Sequence, residues 1–281
     1  MMNTDKWIKR FTLDYQFRLD SSTLTLYHLS IKNLLDYIRK EIDTITKHDI
    51  RNWLGHLIEK GYQPSTINTK LAGVKLFFKY CLDEKVISKN PTKDILFSKV
   101  EGKLPRYLSM EKLTKLRALL EGRLEERAIV EVLYATGIRK SELAAMKKID
   151  INWSERLILI PMGKRKKGRI VLFTRECAEH LKSYLDSRTD DWPFVFALVT
   201  SNGKRSKHAR VVDQRFLIYS EQLGFKMTPH TLRHTFAAHL AKKGMSLECI
   251  QVLLGHDKFE TTRVYARLYD HARKEMYDEW M

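Results

Sequence analysis

The chain has 281 residues, enough for two domains of ordinary size that each bury a core. With 43% hydrophobic and 30% charged residues it falls outside the disordered and fibrous classes, and no window is apolar enough to span a membrane. Its 51 Lys and Arg against 34 Asp and Glu leave a net charge of +17, spread over both halves, which points to a polyanion, nucleic acid foremost, held by the whole body.

The first ninety residues predict four helices. One runs from about Thr4 to Leu19. A second follows Ser22 with Tyr27, Ile31, Leu34, Leu35 and Ile38 on one face. Thr46 and Asp49 have capping-box spacing ahead of Ile50, Trp53, Leu54, Leu57 and Ile58, and Gly61 ends that helix. The fourth follows Ser65 with Ile67, Leu71, Val74, Phe77, Phe78, Cys81 and Leu82. Its other face offers Thr66, Asn68, Lys70 and Lys75, of which Lys70 and Lys75 are candidate phosphate contacts. From Pro91 to about Tyr107 the periodicity lapses in a basic stretch with prolines towards both ends, which reads as an interdomain linker.

A second domain opens at Leu108, with Ser109 as N-cap and Leu108 and Leu113 as a hydrophobic staple. A helix covers about Glu125–Ala135 and stops at Gly137. The period then changes: RLILI and RIVLF flank a polar turn and predict a β-hairpin. Helices resume at Thr174–Ser187, about Ala209–Leu223, His230–Lys242, Leu247–Leu254, and from about Thr261 to the end. The expected class is mainly α with a small β-sheet or hairpin, arranged as residues 1–90, a linker at 91–107, and 108–281 with a C-terminal helical tail.

Three cysteines, Cys81, Cys177 and Cys249, lie far apart and form no CxxC pair, which predicts reduced thiols. The N-terminal MMNTDKWIKRFTLDYQF lacks the apolar run of a signal peptide, so a cytoplasmic protein is expected. No P-loop pattern is present, and His230 to His234 reads HTLRH without the glutamate of HExxH, so no cofactor and no metal are expected.

Breaking a phosphodiester without a metal needs an in-line nucleophile, cations for the non-bridging oxygens and an acid for the departing oxygen. Four segments offer these groups. ATGIRKSEL places Arg139 on the turn after Gly137, with Glu142 close enough to orient it. The hairpin turn carries Lys164, Arg165, Lys166 and Lys167, with Arg169 just beyond. PHTLRHTFAAHL sets His230 and Arg233 on one helical face, and LLGHDKFETTRVYARL holds His256 after Gly255 and Tyr265 further on. Each signal alone is weak: a helical tyrosine usually packs, and an Arg–Glu pair is usually superficial.

In this order and spacing the four segments resemble the tyrosine recombinases of the phage integrase and Xer type, strongly over 108–270 and only by helical pattern over 1–90. The resemblance implies an N-terminal four-helix core-binding domain and a C-terminal catalytic domain. Tyr265 would be the nucleophile that forms a 3′-phosphotyrosyl link. Arg139, Arg233 and His256 would bind the transition-state oxygens, Glu142 would support Arg139, and His230 would assist proton transfer at Tyr265. Lys164 would be the general acid, with Lys166 and Lys167 as alternatives because the turn reads KRKK. The arginines are expected to favour the phenolate of a group whose free pKa is ~10. Arg165, Lys166, Lys167 and Arg169 are further expected DNA contacts. The implied partner is double-stranded DNA carrying a specific recombination site, clamped between the two domains. A homo-tetramer on two such sites is expected, its subunits linked by the stripe Leu268, Ala272, Met276 and Trp280. The chain starts almost directly at the core-binding helices, which favours a simple recombinase without an arm-binding domain. A topoisomerase of the same chemistry and a non-catalytic DNA-binding protein stand as rivals.

Overall fold

A computed structural model of the chain describes residues 2–99, 105–161, 168–199, 203, 209–255, 260–266, 268–270 and 274. The chain divides into two compact units, Met1–Glu101 and Gly102–Met281.

The first unit consists of helices α1 (Met2–Tyr15), α2 (Ser21–Ile38), α3 (Lys47–Glu59) and α4 (Pro64–Asp83), with a 3-10 turn at Ile42–Thr44. The expected capping box starts α3: Asp49 N–H donates to Thr46 Oγ1 at 3.3 Å, and Thr46 N–H donates back to the Asp49 carboxylate at 2.9 Å. The apolar stripes of the helices meet in one core around Phe11, Ile31, Leu34, Ile50, Trp53, Phe77 and Phe78, all fully buried. Each such side chain contributes roughly 1.5–3 kcal/mol on burial. Trp53 avoids an orphan donor by giving its Nε1–H to Asn33 Oδ1 at 3.0 Å. The first helix stops at Tyr15, short of the expected Leu19, in a turn in which Arg18 and Leu19 N–H both donate to the Tyr15 carbonyl.

In the second unit, α5 (Met110–Leu119), α6 (Leu124–Thr136) and α7 (Lys140–Ala145) precede strands β1 (Ile151–Asn152), β2 (Leu157–Ile160) and β3 (Arg169–Leu172). Then come α8 (Arg175–Asp186), α9 (Arg210–Leu223), α10 (Pro229–Lys242), α11 (Leu247–Leu254) and α12 (Glu260–Arg263). Ala128 to Leu133 are buried without interruption, so this part of α6 is covered on every side and forms the axis of this unit. Its one buried acid, Glu131, accepts from Arg117 at 2.6 Å and from Arg127 at 2.8 Å, which satisfies the charge.

The expected hairpin is the antiparallel β2–β3 pair, in register from Leu157 opposite Leu172 to Ile160 opposite Arg169. A third strand, β1, extends it on the far side of β2. Two residues are too few for an alternation to show in sequence. Along β3 the side chains alternate in burial, Ile170 and Leu172 outward and Val171 inward with Arg169 on its side of the strand.

A smaller core joins α10 and α11 through Phe236, Ala237, Ala241, Ile250 and Leu254, and Tyr265 is buried within it. The helix expected from Thr261 is interrupted by a turn at Val264 and Tyr265, beyond which the described residues 266, 268–270 and 274 are again helical. The helix α12 ends at Arg263, and Tyr265 sits in the turn that follows, its N–H donating to the Thr262 carbonyl at 3.0 Å. Among the described residues no helix is long and apolar enough to cross a membrane.

Candidate active site

Two glycine-capped helix ends build the site. Helix α6 terminates at Gly137 in the left-handed conformation, φ 61°, and α11 terminates at Gly255, φ 62°. A Cβ on Gly137 would collide with the Phe236 ring, so glycine is required there by contact as well as by φ. The last carbonyls of a helix have no partner within it and carry the negative end of its dipole. Here they hold arginines.

Arg233, on the second turn of α10, is 3% exposed. Its Nη1 donates to the Gly137 carbonyl at 2.6 Å and its Nη2 to the Leu254 carbonyl at 2.7 Å, so one guanidinium joins both helix ends. Thr228 and Pro229 set the start of α10, Thr228 accepting from the Thr231 N–H at 3.1 Å. Burial, and then the charge of Arg139, push Arg233 down to about 9, which still leaves it protonated at neutral pH.

Arg139 lies between Gly137 and α7. Its Nη1 donates to Glu142 Oε1 at 2.9 Å, its backbone N–H to Oε2 at 2.7 Å, and its Nη2 to the Gly255 carbonyl at 3.3 Å. Burial alone would raise the Glu142 carboxyl. The hydrogen bonds from Arg169 and from the Arg139 backbone, with both guanidinium charges, overcome it and hold the group at about 2.

Arg169 departs from the expectation of a DNA contact. Its guanidinium faces inward, with Nη1 on Glu142 Oε1 at 2.9 Å, Nη2 on Oε2 at 2.8 Å, and Nε on the Leu253 carbonyl at 3.3 Å. The physical reason is the strand period, which sets residue 169 on the same side as the buried Val171.

Tyr265 is 1% exposed. Its hydroxyl is joined to His234 Nδ1 by a hydrogen bond of 2.5 Å. His230, the histidine expected beside it, instead packs edge-on against His234, ring centroids 4.6 Å apart. Residues 230 and 234 share a helical face, and the second of them is the one that reaches the phenol. Burial, then His230 and Arg233, lower His234 to about 4, so this imidazole is neutral at pH 7. Arg233 does favour the phenolate, as expected, but burial outweighs it and raises the Tyr265 hydroxyl above its ordinary value. The exposed His230 is also lowered, by desolvation of its packed side and then by Arg233, Arg139 and Lys140.

Lys164, Arg165, Lys166, Lys167 and His256 lie outside the described residues, as do Ala272, Met276 and Trp280 of the C-terminal stripe. Leu268 is half-buried and packs on the small core of its own unit. In the first unit Lys70 lies over the Tyr62 ring and Lys75 over the Phe97 ring, while Asn68 exchanges two hydrogen bonds with the Ser98 backbone. Glu131, Glu176 and His180 are close enough together to suggest a cation site among the described residues. Both carboxylates, however, are occupied by Arg117 and Arg127.

Known proteins share this sequence pattern and fold. The phage integrase family model matches residues 106–272, and the phage integrase N-terminal SAM-like domain matches residues 6–88. Tyrosine recombinase XerC of Chlamydia trachomatis is 32% identical over 256 residues, covering 88% of this chain and 81% of the relative. Tyrosine recombinase XerA of Thermococcus kodakarensis is 31% identical over 246 residues, covering 85% and 84%. Among solved structures, a XerA recombinase aligns over 98% of both chains with 30% identity and a TM-score of 0.55. The Tn1549 transposon integrase in complex with transposon right end DNA aligns over 99% of both with a TM-score of 0.79, and at 21% identity it shows the fold.

Proposed function

Because this chain belongs to the phage integrase family and is a site-specific tyrosine recombinase, we propose that Tyr265 is its nucleophile and that Arg139 and Arg233 bind the scissile phosphate of a DNA duplex. The observation that carries this reading is the convergence of Arg139 and Arg233 on adjoining carbonyls at the ends of α6 and α11, with the Tyr265 hydroxyl one hydrogen bond from the α10 helix that bears Arg233. In the reaction the Tyr265 Oη–P bond forms and the P–O5′ bond breaks, leaving a 3′-phosphotyrosyl link and a free 5′-hydroxyl. The phenolic proton departs towards the histidines of α10, and Lys164 supplies the proton taken up by the 5′-oxygen. The buried, neutral phenol of the free protein must therefore be moved and activated when a phosphate is bound. Storing the phosphodiester bond energy in the phosphotyrosine lets a second 5′-hydroxyl reverse the step on another strand, with no nucleotide cofactor.

Residues 1–90 serve as a core-binding module, with Lys70 and Lys75 contacting phosphates, and 108–281 as the catalytic module, with Arg165, Lys166 and Lys167 reaching DNA from the hairpin turn. Two duplexes are joined in a homo-tetramer, in the cytoplasm. The net charge of +17 supports a polyanionic partner for both units.

The test uses a nicked duplex bearing a site selected from a randomised pool by binding to this chain. A covalent protein–DNA adduct on a denaturing gel is expected with the wild type and not with Tyr265→Phe. An adduct that survives in Tyr265→Phe would assign the wrong tyrosine, and tight binding without any adduct would favour the non-catalytic rival.

A further inference from the structure

Arg169 is the one guanidinium of the cluster that no part of the cleavage reaction requires, yet it is the most fully engaged. It lies on β3, directly after the hairpin turn, with its side chain 15% exposed. Both of its terminal nitrogens lie on the two oxygens of Glu142, at 2.9 and 2.8 Å, in the planar fork that a lysine cannot reproduce. The same two oxygens receive the Arg139 side chain and the Arg139 backbone N–H. Glu142 thus bridges two arginines, and its position is set from both sides.

The third nitrogen, Nε, donates to the Leu253 carbonyl at the end of α11. The methylenes of Arg169 pass over Gly255, where a Cβ would stand 2.8 Å from Cδ. Three segments therefore meet on this side chain: the strand leaving the hairpin, the turn that carries Arg139, and the α11 end whose carbonyls hold Arg139 and Arg233. All three guanidinium nitrogens are thus engaged within the protein.

Resting on the recombinase reading above, we propose that Arg169 is a positioning residue: it fixes Glu142, and through it Arg139, and it makes no contact with DNA. Strand β3 is thereby tied to the turn that carries Arg139 and to the end of α11.

Three readouts separate this role from a DNA contact and from a merely structural one. The first is the salt dependence of binding to a random-sequence duplex. If Arg169 gripped a phosphate, Arg169→Met would lower the slope of log K against log salt by about one, whereas the proposal expects the wild-type slope. The second is adduct formation at saturating protein on the nicked selected site. It should slow by roughly 30-fold or more in Arg169→Met, consistent with the loss expected when a catalytic group is misplaced by about 1 Å. The same variant should lose activity at a higher pH than the wild type on acidification, because without the Arg169 hydrogen bonds and charge the desolvated Glu142 carboxyl takes up a proton more readily.

The third is a double-mutant cycle: Arg169→Met with Glu142→Gln should be no slower than Glu142→Gln alone. Arg169→Lys, which retains one ion pair, is expected to fall between wild type and Arg169→Met and serves for all three readouts if the methionine variant does not fold. A reduced salt slope, independent losses in the cycle, or a pH profile unchanged from the wild type would each overturn the proposal. If the wild type itself forms no adduct, the nucleophile assignment fails, and the salt slope alone then decides whether Arg169 is a DNA contact.

Discussion

Gly137→Ala tests whether the site depends on close backbone approach. The left-handed φ of 61° costs an alanine about 1 kcal/mol. The new Cβ also meets the Phe236 ring and lies 3.0 Å from Leu254 Cδ2, and such overpacking costs about 1–3 kcal/mol. The expected destabilisation is therefore about 2–4 kcal/mol. For a unit of this size it corresponds to a fall of roughly 5–15 °C in Tm. Gly122→Ala is the internal control, because Gly122 has a φ of 76° with nothing within 4 Å of its would-be Cβ. It should lose only the conformational term, about 1 kcal/mol or roughly 2–4 °C. Scanning calorimetry of the full chain measures both, and the transition that moves should be that of the second unit. Adduct formation by Gly137→Ala, below its melting range, should fall by at least about tenfold, since the Gly137 carbonyl is the 2.6 Å acceptor of Arg233. If the two variants melt within about 2 °C of each other, the Phe236 overlap is without consequence and the reasoning fails.

Stability should fall in two steps on acidification. His234 is held at about 4 against an ordinary 6.5, so its contribution is whole above pH 6.5 and is lost as pH falls towards 4. At about 1.4 kcal/mol per pH unit, discounted for partial exposure, this step is about 2 kcal/mol. Glu142 is held at about 2 against 4.5, so its stabilisation of about 3 kcal/mol is whole above pH 4.5 and is lost towards pH 2. Urea midpoints against pH should show a smaller upper step in His234→Asn, where the likewise lowered His230 remains, and a smaller lower step in Glu142→Gln, where Asp49 remains; a step of undiminished size in its own variant contradicts the assignment. Arg233→Lys keeps the charge but cannot span the Gly137 and Leu254 carbonyls, so adduct formation should drop about a hundredfold or more with a stability loss of roughly 1.5–3 kcal/mol. A variant within threefold of wild type would show that the fork is not needed. Of the three cysteines only Cys249 is exposed, and burial pushes Cys81 up to about 12. One thiol should thus react promptly with a disulfide reagent in the folded protein and three after denaturation; two or more fast native thiols would contradict the burial.

Helical stripes, caps and the order of the four motifs were legible because each depends on residues near in sequence. The Thr46–Asp49 box and the Arg139–Glu142 pair span three positions, and both form. What escaped depends on distance in space. The Arg169–Glu142 pair links residues 27 apart, and only the alternation of β3, with Val171 inward, hinted that Arg169 turns away from solvent. His230 and His234 lie on one face of α10, so spacing could not say which of them meets Tyr265. The two-residue β1 and the turn after α12 are too short to leave a period.

The charge balance of the cluster explains why its arginines are held by carbonyls and not by more carboxylates. Arg139, Arg169 and Arg233 surround one acid, Glu142, and their remaining described partners here are the carbonyls of Gly137, Leu253, Leu254 and Gly255. Helix-end carbonyls orient a guanidinium with partial charge and leave most of its own charge available. Three cations about one anion leave two positive charges unmatched. A bound phosphodiester carries one negative charge, and its five-coordinate transition state approaches two. On the proposed reading the excess is matched more closely at the transition state than with ground-state DNA, which is the differential binding that catalysis requires. A second carboxylate in place of these carbonyls would hold the arginines equally well and remove that difference. The glycine-capped ends of α6 and α11 thus do electrostatic as well as architectural work, fixing the cations while preserving the charge that the proposed reaction draws on.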